Sequence, residues 1–280
     1  MPPSIAFLHT SPVHVATFTS LLERLRPGTV AMHVVDEELL RLARERGHDD
    51  PETVQKVQAA VLAAAASGAT VIACTCSTVG AAAESTPSDG SFAAMRIDRA
   101  MADEAVRMGP AVLVVAALES TLAPTVELIR DSARRLNLPV TIECALAEGA
   151  WRHFEQGDMA AYLAAVQETV RGAVPGPSVV VLAQASMAPA AANLRDIKVA
   201  VLSSPELGAR AVLARAEAVA AEARQRAEEL TKEARQRATE LANEVRERGT
   251  SIANEVRERG KGALEAVRKP KSGGETPAAG

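Results

Sequence analysis

Residues 70–82 read TVIACTCSTVGAA, and residues 178–190 read SVVVLAQASMAPA. Each stretch is a short apolar run rich in β-branched residues that ends in small polar residues. This pattern is typical of a buried parallel strand with functional side chains at its carboxyl end. Aligned without a gap, the two stretches place Cys76 opposite Gln184. They therefore predict two similar strand ends, of which one carries a thiol and the other an amide.

The similarity between the two halves extends beyond these strands. Residues 5–18 resemble residues 113–126, with Ser11 opposite Ser120. Each half is predicted to open with a strand, a turn that bears Ser or Thr, and a helix. Internal duplication is the favoured interpretation, and the ordinary resemblance of one βαβ unit to another is the alternative.

The alternation of strands and helices continues through residues 1–208 and indicates parallel βαβ units. The fold class we predict is α/β, with two similar parallel-sheet lobes, a cleft between them and a long C-terminal amphipathic helix. The predicted strands are residues 5–8, 30–35, 70–74, 95–97, 112–117, 140–144, 179–182 and 199–202.

Residues 209–268 form a separate helical extension in this interpretation. An 11-residue repeat begins with EARQRAEELTK at 222–232 and EARQRATELAN at 233–243. A repeat of this length has about 3.67 residues per helical turn and keeps its apolar positions on one face. We favour a solvated helix or a coiled-coil stalk that makes a homo-oligomer. Membrane contact by the tail is less favoured because Glu is abundant, and a linker without a partner is the third alternative.

Two further expectations concern the end of the chain. Gly249, Gly260 and Gly262 predict fraying of the last repeats, because glycine is a poor helix former. Residues 269–280 read as a disordered tail by composition.

Composition excludes several classes of function. The chain has 280 residues, of which 48% are hydrophobic and 2% aromatic, and its net charge is −4. These values argue against nucleic-acid binding, which favours basic surfaces and stacking side chains. Three cysteines and no recognisable signal peptide fit a cytoplasmic protein. The most apolar stretch, residues 57–76, is interrupted at Ser67 and Gly68 and does not resemble a membrane span.

Cys76 is the strongest chemical candidate. It is predicted at a strand end before a short helix, where backbone N–H groups and the helix N-terminus can favour a thiolate. The alternative is a buried structural cysteine, which is the interpretation we favour for Cys74 and Cys144. No metal-ligand cluster or glycine-rich nucleotide fingerprint is recognisable, so no metal and no cofactor are expected.

Other polar residues have competing interpretations. Asp98 follows a predicted strand and is expected to cap the next helix, with catalysis as the alternative. His9 and His14 flank the first turn, and either could face the cleft and assist proton transfer. His153 is expected on a helix surface.

Six motifs together resemble the aspartate/glutamate/hydantoin racemase superfamily over about residues 3–210. They are LHTSP at 8–12, CTCST at 74–78, ALEST at 117–121, EGAW at 148–151, LAQASMA at 182–188 and VLSSPELG at 201–208. The resemblance implies two α/β lobes, no cofactor, and one cysteine from each lobe on opposite faces of the substrate.

The resemblance also implies roles for residues of this chain. Cys76 takes the position of the catalytic cysteine of the first lobe, and Ser77 and Thr78 take those of residues that hold the substrate carboxylate. Gln184 takes the position of the second cysteine. The loosely matched remainder of the binding pocket comprises Ser11, Ser120, Thr121 and Ser186.

Gln184 is the departure from the family pattern. An amide neither accepts nor supplies a proton at accessible pH, so racemisation with two bases is in doubt. We expect a cofactor-independent, cysteine-dependent enzyme that acts on a small carboxylate, of the racemase or isomerase type. The alternatives are a decarboxylase or lyase that acts on a malonate-like acid, and a non-catalytic acid-binding scaffold assembled through its helical tail.

Overall fold

The computed structural model describes residues 5–174 and 176–268, with side chains as far as residue 264. The predicted disordered tail at 269–280 lies outside the described residues. Contacts divide the chain into a compact unit that extends through Ala221 and a second unit that begins at Glu222.

The first lobe is a four-stranded parallel sheet flanked by helices, with strand order β2-β1-β3-β4. Its elements are β1 Ile5–His9, α1 Val13–Leu25, β2 Ala31–Val35, α2 Glu38–Arg46, α3 Pro51–Ala66, β3 Val71–Cys74, α4 Gly80–Glu84 and β4 Ala93–Arg96.

The second lobe repeats this topology, because its parallel sheet has the order β6-β5-β7-β8. Short 3-10 helices lie at Glu119–Thr121 and Ala185–Met187. The other elements are α5 Arg99–Met108, β5 Ala111–Ala116, α6 Leu122–Leu136, β6 Thr141–Leu146, α7 Ala150–Glu155, α8 Met159–Ala173, β7 Val179–Leu182, α9 Ala188–Ala192 and β8 Ala200–Ser203. The predicted α/β fold with two similar parallel-sheet lobes is confirmed.

Both faces of the central strands are buried, which explains their continuous apolar sequences. In β3, Ile72 and Cys74 pack with Val57 on one face of the sheet. Val71 packs with Phe18 on the other face. Cys74 is therefore a core residue, as expected. The parallel strands bring the ends of β1, β3, β5 and β7 to the region where the site residues were predicted.

Cys144 departs from its expected place in the core. It lies on β6, an edge strand of the second sheet, and its side chain is exposed. The apolar residues around it predicted burial, but an edge strand can leave side chains in solvent on both faces.

The last helix, α10 Ser204–Arg268, begins earlier than the predicted boundary at 209. Its first turns belong to the first unit: Val212 and Ala216 are buried in the cluster that contains Phe7 and Phe18. Gly208 lies so close to Ile97 that no Cβ atom would fit there. Helix 204–221 is therefore part of the core of the α/β unit.

In the second unit, described from Glu222 to Arg268, the helix is continuous through Gly249 and Gly260. The fraying expected at the last repeats stays a prediction about the stability of this helix. The described side chains from 222 to 264 are exposed, and Leu230 and Ile252 are 66% and 62% accessible. Among the described residues, no helix has the length and apolar character needed to cross a membrane.

Candidate active site

Residues from both lobes surround one small cavity at the carboxyl ends of the central strands. Its volume is about 40 Å³, which is room for a few water molecules. The lobes are therefore closed on each other in this structure. The lining residues are Thr10, Ser11, His14, Leu40, Thr75, Cys76, Ser77, Thr78, Leu118, Thr121, Trp151, Phe154, Gln184, Ala185 and Ser186.

All of the predicted site residues except Ser120 lie around this cavity. The Ser120 hydroxyl is buried and has no hydrogen-bond partner among the described residues. Sequence alignment alone placed Ser120 opposite Ser11. The two turns differ locally, because Ser120 lies in a 3-10 helix whereas Ser11 lies in the turn two residues before α1.

Two hydrogen bonds join the lobes across the cavity. The Ser77 hydroxyl donates to the Ala183 carbonyl at 2.6 Å. The Thr78 and Thr121 hydroxyls are 3.1 Å apart. While the lobes are closed, the hydroxyl proton of Ser77 is therefore bound to the Ala183 carbonyl and is not free to bind a carboxylate.

Gln184 is held in a fixed orientation. Its Oε1 accepts a hydrogen bond from the Ala117 N–H at 2.9 Å, and its Nε2 donates to Thr121 Oγ1 at 3.3 Å. The second N–H of the amide is left for a ligand. Nearby, Ser186 Oγ pairs with the Tyr162 hydroxyl at 2.7 Å, and burial raises the pKa of Tyr162.

Cys76 is partly exposed and supplies the single thiol among the described cavity-lining residues. The Cys74 thiol lies behind it in the core, where it contacts the Cys76 carbonyl at 3.6 Å. Burial raises the pKa of Cys74 above its usual value. Helix α4 begins at Gly80 and has only five residues, so the expected support from a helix dipole is small.

Arg96 and Asp98 form a buried ion pair that sequence analysis did not identify. Both carboxylate oxygens of Asp98 accept hydrogen bonds from Arg96, at 2.7 and 2.9 Å. Arg96 also donates to the Ser77 carbonyl at 3.2 Å. Asp98 precedes α5 but makes no side-chain capping bond, so the expected cap is wrong. The pair fixes the turn between Cys76 and Gly80.

The histidines separate into distinct environments. His14 lines the cavity, and burial lowers its pKa to about 4. His9 is fully buried; burial and the neighbouring His33 and His14 lower its pKa to about 3. His153 lies on α7 and is not among the described cavity-lining residues. His9 and His14 are therefore neutral at neutral pH.

The chemistry of the cavity is a thiol, hydroxyls and an amide against an apolar wall. The wall consists of Leu40, Leu118, Trp151 and Phe154, and no described lining residue is Asp, Glu, Lys or Arg. Among the described residues, no group of three or more His, Cys, Asp or Glu side chains is placed to hold a metal ion. The arrangement can bind one anionic group by hydrogen bonds and can transfer a proton through Cys76.

Comparison with known proteins finds similar structures but no similar sequences. No sequence model of a protein family matches the chain, and no curated protein sequence matches it. Solved structures do match. Aspartate racemase from Picrophilus torridus superposes with a TM-score of 0.58 and 14% identity, covering 77% of this chain and 94% of that one.

Two other matching structures are of proteins named for activities other than aspartate racemisation. Allantoin racemase from Klebsiella pneumoniae gives a TM-score of 0.56 at 17% identity, covering 76% of this chain and 86% of that one. A variant of arylmalonate decarboxylase gives a TM-score of 0.52 at 16% identity, covering 77% of this chain and 94% of that one. The chain thus has the same two-lobed α/β fold as these racemases and this decarboxylase.

Proposed function

We propose that this chain is a cofactor-independent enzyme in which Cys76 transfers a proton at the carbon next to the carboxylate of a small acid. One observation carries the proposal: the single thiol of the described cavity lining faces the same closed space as an immobilised amide, Gln184. A thiol can exchange a proton at accessible pH and an amide cannot. Proton transfer then occurs on one face of the substrate.

The remaining hydrogen-bond donors suit one carboxylate. Thr78 and Thr121 need only one of their two hydroxyl protons for their mutual bond. The other proton, the free N–H of Gln184 and the Ser11 hydroxyl are left to bind the anion. Neutral donors can hold a carboxylate, or the enolate-like charge that forms when the neighbouring carbon loses a substituent.

The walls of the cavity favour an uncharged substituent on that carbon. No described lining residue is acidic, so an ammonium group would enter the site without a carboxylate partner. The apolar surfaces of Trp151 and Phe154 suit an aryl or alkyl group. A carboxylic acid with an apolar side group therefore fits better than an α-amino acid.

Two reactions fit a single thiol. In an isomerisation or exchange, the Cys76 thiolate removes the proton and returns it to the same carbon. In a decarboxylation, a C–C bond of a malonate-like acid breaks, CO₂ leaves, and the resulting carbanion takes the thiol proton. The thiolate then regains a proton from solvent. The apolar wall and the absence of a second thiol in the described lining favour the decarboxylation.

The test is proton nuclear magnetic resonance in D₂O with phenylmalonate, phenylacetate and aspartate as probes. We expect decarboxylation of phenylmalonate or α-deuteration of phenylacetate, and no reaction of aspartate. Cys76→Ser should lower the rate by about 10² to 10⁴-fold. Cys144→Ser is the matched control, because that thiol is exposed and is not among the described lining residues. Binding of a probe without reaction would support the acid-binding scaffold instead.

The location of the protein and its assembly through the C-terminal helix complete the proposed function. We propose that the enzyme works in the cytoplasm and that residues 222–268, the part of the predicted extension 209–268 whose described side chains are exposed, assemble copies of it. The exposed apolar positions of the repeat, Leu230, Leu241 and Ile252, support self-association of the helices.

A further inference from the structure

A row of four hydrogen-bonded side chains crosses the first lobe beside the cavity. Thr75 Oγ1 lies 2.8 Å from His9 Nδ1, and His9 Nε2 lies 2.8 Å from His33 Nδ1. His33 Nε2 lies 3.1 Å from Thr19 Oγ1. Thr75 lines the cavity and Thr19 is exposed to solvent. The row therefore connects the closed cavity with the surface of the protein.

The hydrogen bonds of this row all point the same way. The Thr75 hydroxyl donates to the Leu8 carbonyl at 3.3 Å, so it accepts from the Nδ1–H of His9. That assignment leaves His9 Nε2 to accept from His33, and His33 Nε2 to accept from Thr19. The donors of Thr19, His33 and His9 thus all point toward Thr75.

A purely structural role does not require these groups. His9 is fully buried, with its ring centroid 5.8 Å from that of Phe18. A phenylalanine would fill this space without the cost of burying polar nitrogens. Burial lowers the pKa of both His9 and His33. Both rings are therefore neutral at neutral pH, which is the state in which an imidazole donates and accepts at once.

We propose that Thr19, His33, His9 and Thr75 form a proton relay that returns a proton from solvent to the cavity after Cys76 has given one to the substrate. The inference rests on the function proposed above. It addresses a need of that function, because the cavity holds only a few waters and each decarboxylation consumes one thiol proton.

The transfer is balanced along the row. Water gives a proton to Thr19, whose own hydroxyl proton passes to His33 Nε2. The Nδ1 proton of His33 moves to His9 Nε2, and the Nδ1 proton of His9 moves to Thr75 Oγ1. The Thr75 hydroxyl turns away from the Leu8 carbonyl, to which it makes a long bond of 3.3 Å, and releases its proton to the Cys76 thiolate in the cavity. One proton enters at the surface, one leaves at the cavity, and each hydrogen bond of the row is reversed. Rotation of the two imidazole rings and the two hydroxyls then restores the starting direction before the next transfer.

The first readout does not depend on catalysis. In the full chain labelled with nitrogen-15, magnetic resonance measures the exchange of the His9 Nδ1–H with water. A relay makes this exchange fast although the ring is buried. Thr19→Val and His33→Phe should slow it by about tenfold or more. The control is Thr17→Val on the same helix, since Thr17 bonds only to the Val13 carbonyl among the contacts described, and it should exchange like the wild type.

The second readout is turnover of phenylmalonate by the same variants. We expect Thr19→Val to slow turnover while Thr17→Val does not. Unchanged or faster His9 exchange in folded Thr19→Val would overturn the relay, whether or not the protein is an enzyme. Slowed exchange with undiminished turnover would overturn its role in the reaction. A wild-type protein that exchanges through the row but never turns over would refute the proposed function and, with it, the supply of protons to Cys76.

Discussion

At the scale of single residues, one thiol, Cys76, and one fixed amide, Gln184, line the same cavity. Replacing the amide by a second thiol should open the other face of the substrate to proton transfer. We therefore expect Gln184→Cys to racemise a single enantiomer of 2-phenylpropionate in a reaction that the wild type does not catalyse. The measurement is chiral chromatography over time. Gln184→Ala is the control, and racemisation by this variant would show that the new thiol is not responsible.

The Gln184 substitution also has a structural cost. A cysteine is too short to replace Oε1 as the acceptor for the Ala117 N–H. A buried donor left unpaired costs about 1–3 kcal/mol. Both Gln184 variants should show this loss in urea unfolding, so their comparison isolates the chemical effect of the thiol.

The neutral, buried His9 makes stability depend on pH. Its pKa is about 3 in the folded protein and 6.5 without the surroundings of the fold. Between these values the unfolded chain binds one more proton, so stability falls as pH falls from 6.5. The expected slope is about 1.4 kcal/mol per pH unit for this residue. His9→Phe should lose less stability than the wild type between pH 6 and pH 5, measured by urea unfolding; equal losses would contradict the buried neutral state.

Some residue roles were predictable and others were not. Cys76 and Gln184 each lie two residues beyond a strand with a clear apolar pattern, so their place beside the cleft follows from the sequence. The Ser77–Ala183 bond was not predictable, because it joins residues 106 positions apart in different lobes. The bond between His9 and His33 depends on the pairing of β1 with β2, which neither histidine signals by itself.

At the scale of elements, the buried pair of Arg96 and Asp98 links β4 and the start of α5 to the turn after β3. Both side chains are at most 3% accessible. Arg96→Met should destabilise the protein by about 3–5 kcal/mol, because it leaves the Asp98 charge buried without a partner. Urea unfolding at neutral pH measures the loss. The double variant Arg96→Met/Asp98→Leu should recover most of it, and a loss below about 1 kcal/mol in the single variant would contradict the account.

The strands were easier to predict than the short helices. The central strands β1, β3, β5 and β7 are buried on both faces and carry unmistakable apolar runs. Helix α4 has five residues and α7 has six, too few for a helical period to stand out. A short helix after Cys76 and a helical position for His153 were expected, but the bounds of both helices are set by tertiary packing.

At the scale of the whole molecule, the 11-residue repeat was visible in the sequence, but its partner was not. Leu230, Leu241 and Ile252 lie on one helical face and are exposed. If this face joins copies of the chain, replacing all three by serine should convert an oligomer to a monomer in analytical ultracentrifugation. The turnover of phenylmalonate should not change, because the compact unit that extends through Ala221 contains the cavity. A monomeric wild-type protein would contradict assembly through the tail.

The most direct test of the central claim is the stereochemistry of decarboxylation. A single thiol at position 76 should protonate the carbanion from one side, so 2-methyl-2-phenylmalonate should give one enantiomer of 2-phenylpropionate. Chiral chromatography of the product measures this, with Cys76→Ser and Cys144→Ser as the paired variants. The account predicts a single enantiomer whose formation depends on Cys76. An equal mixture of enantiomers, or a product that forms equally well without the Cys76 thiol, would contradict it.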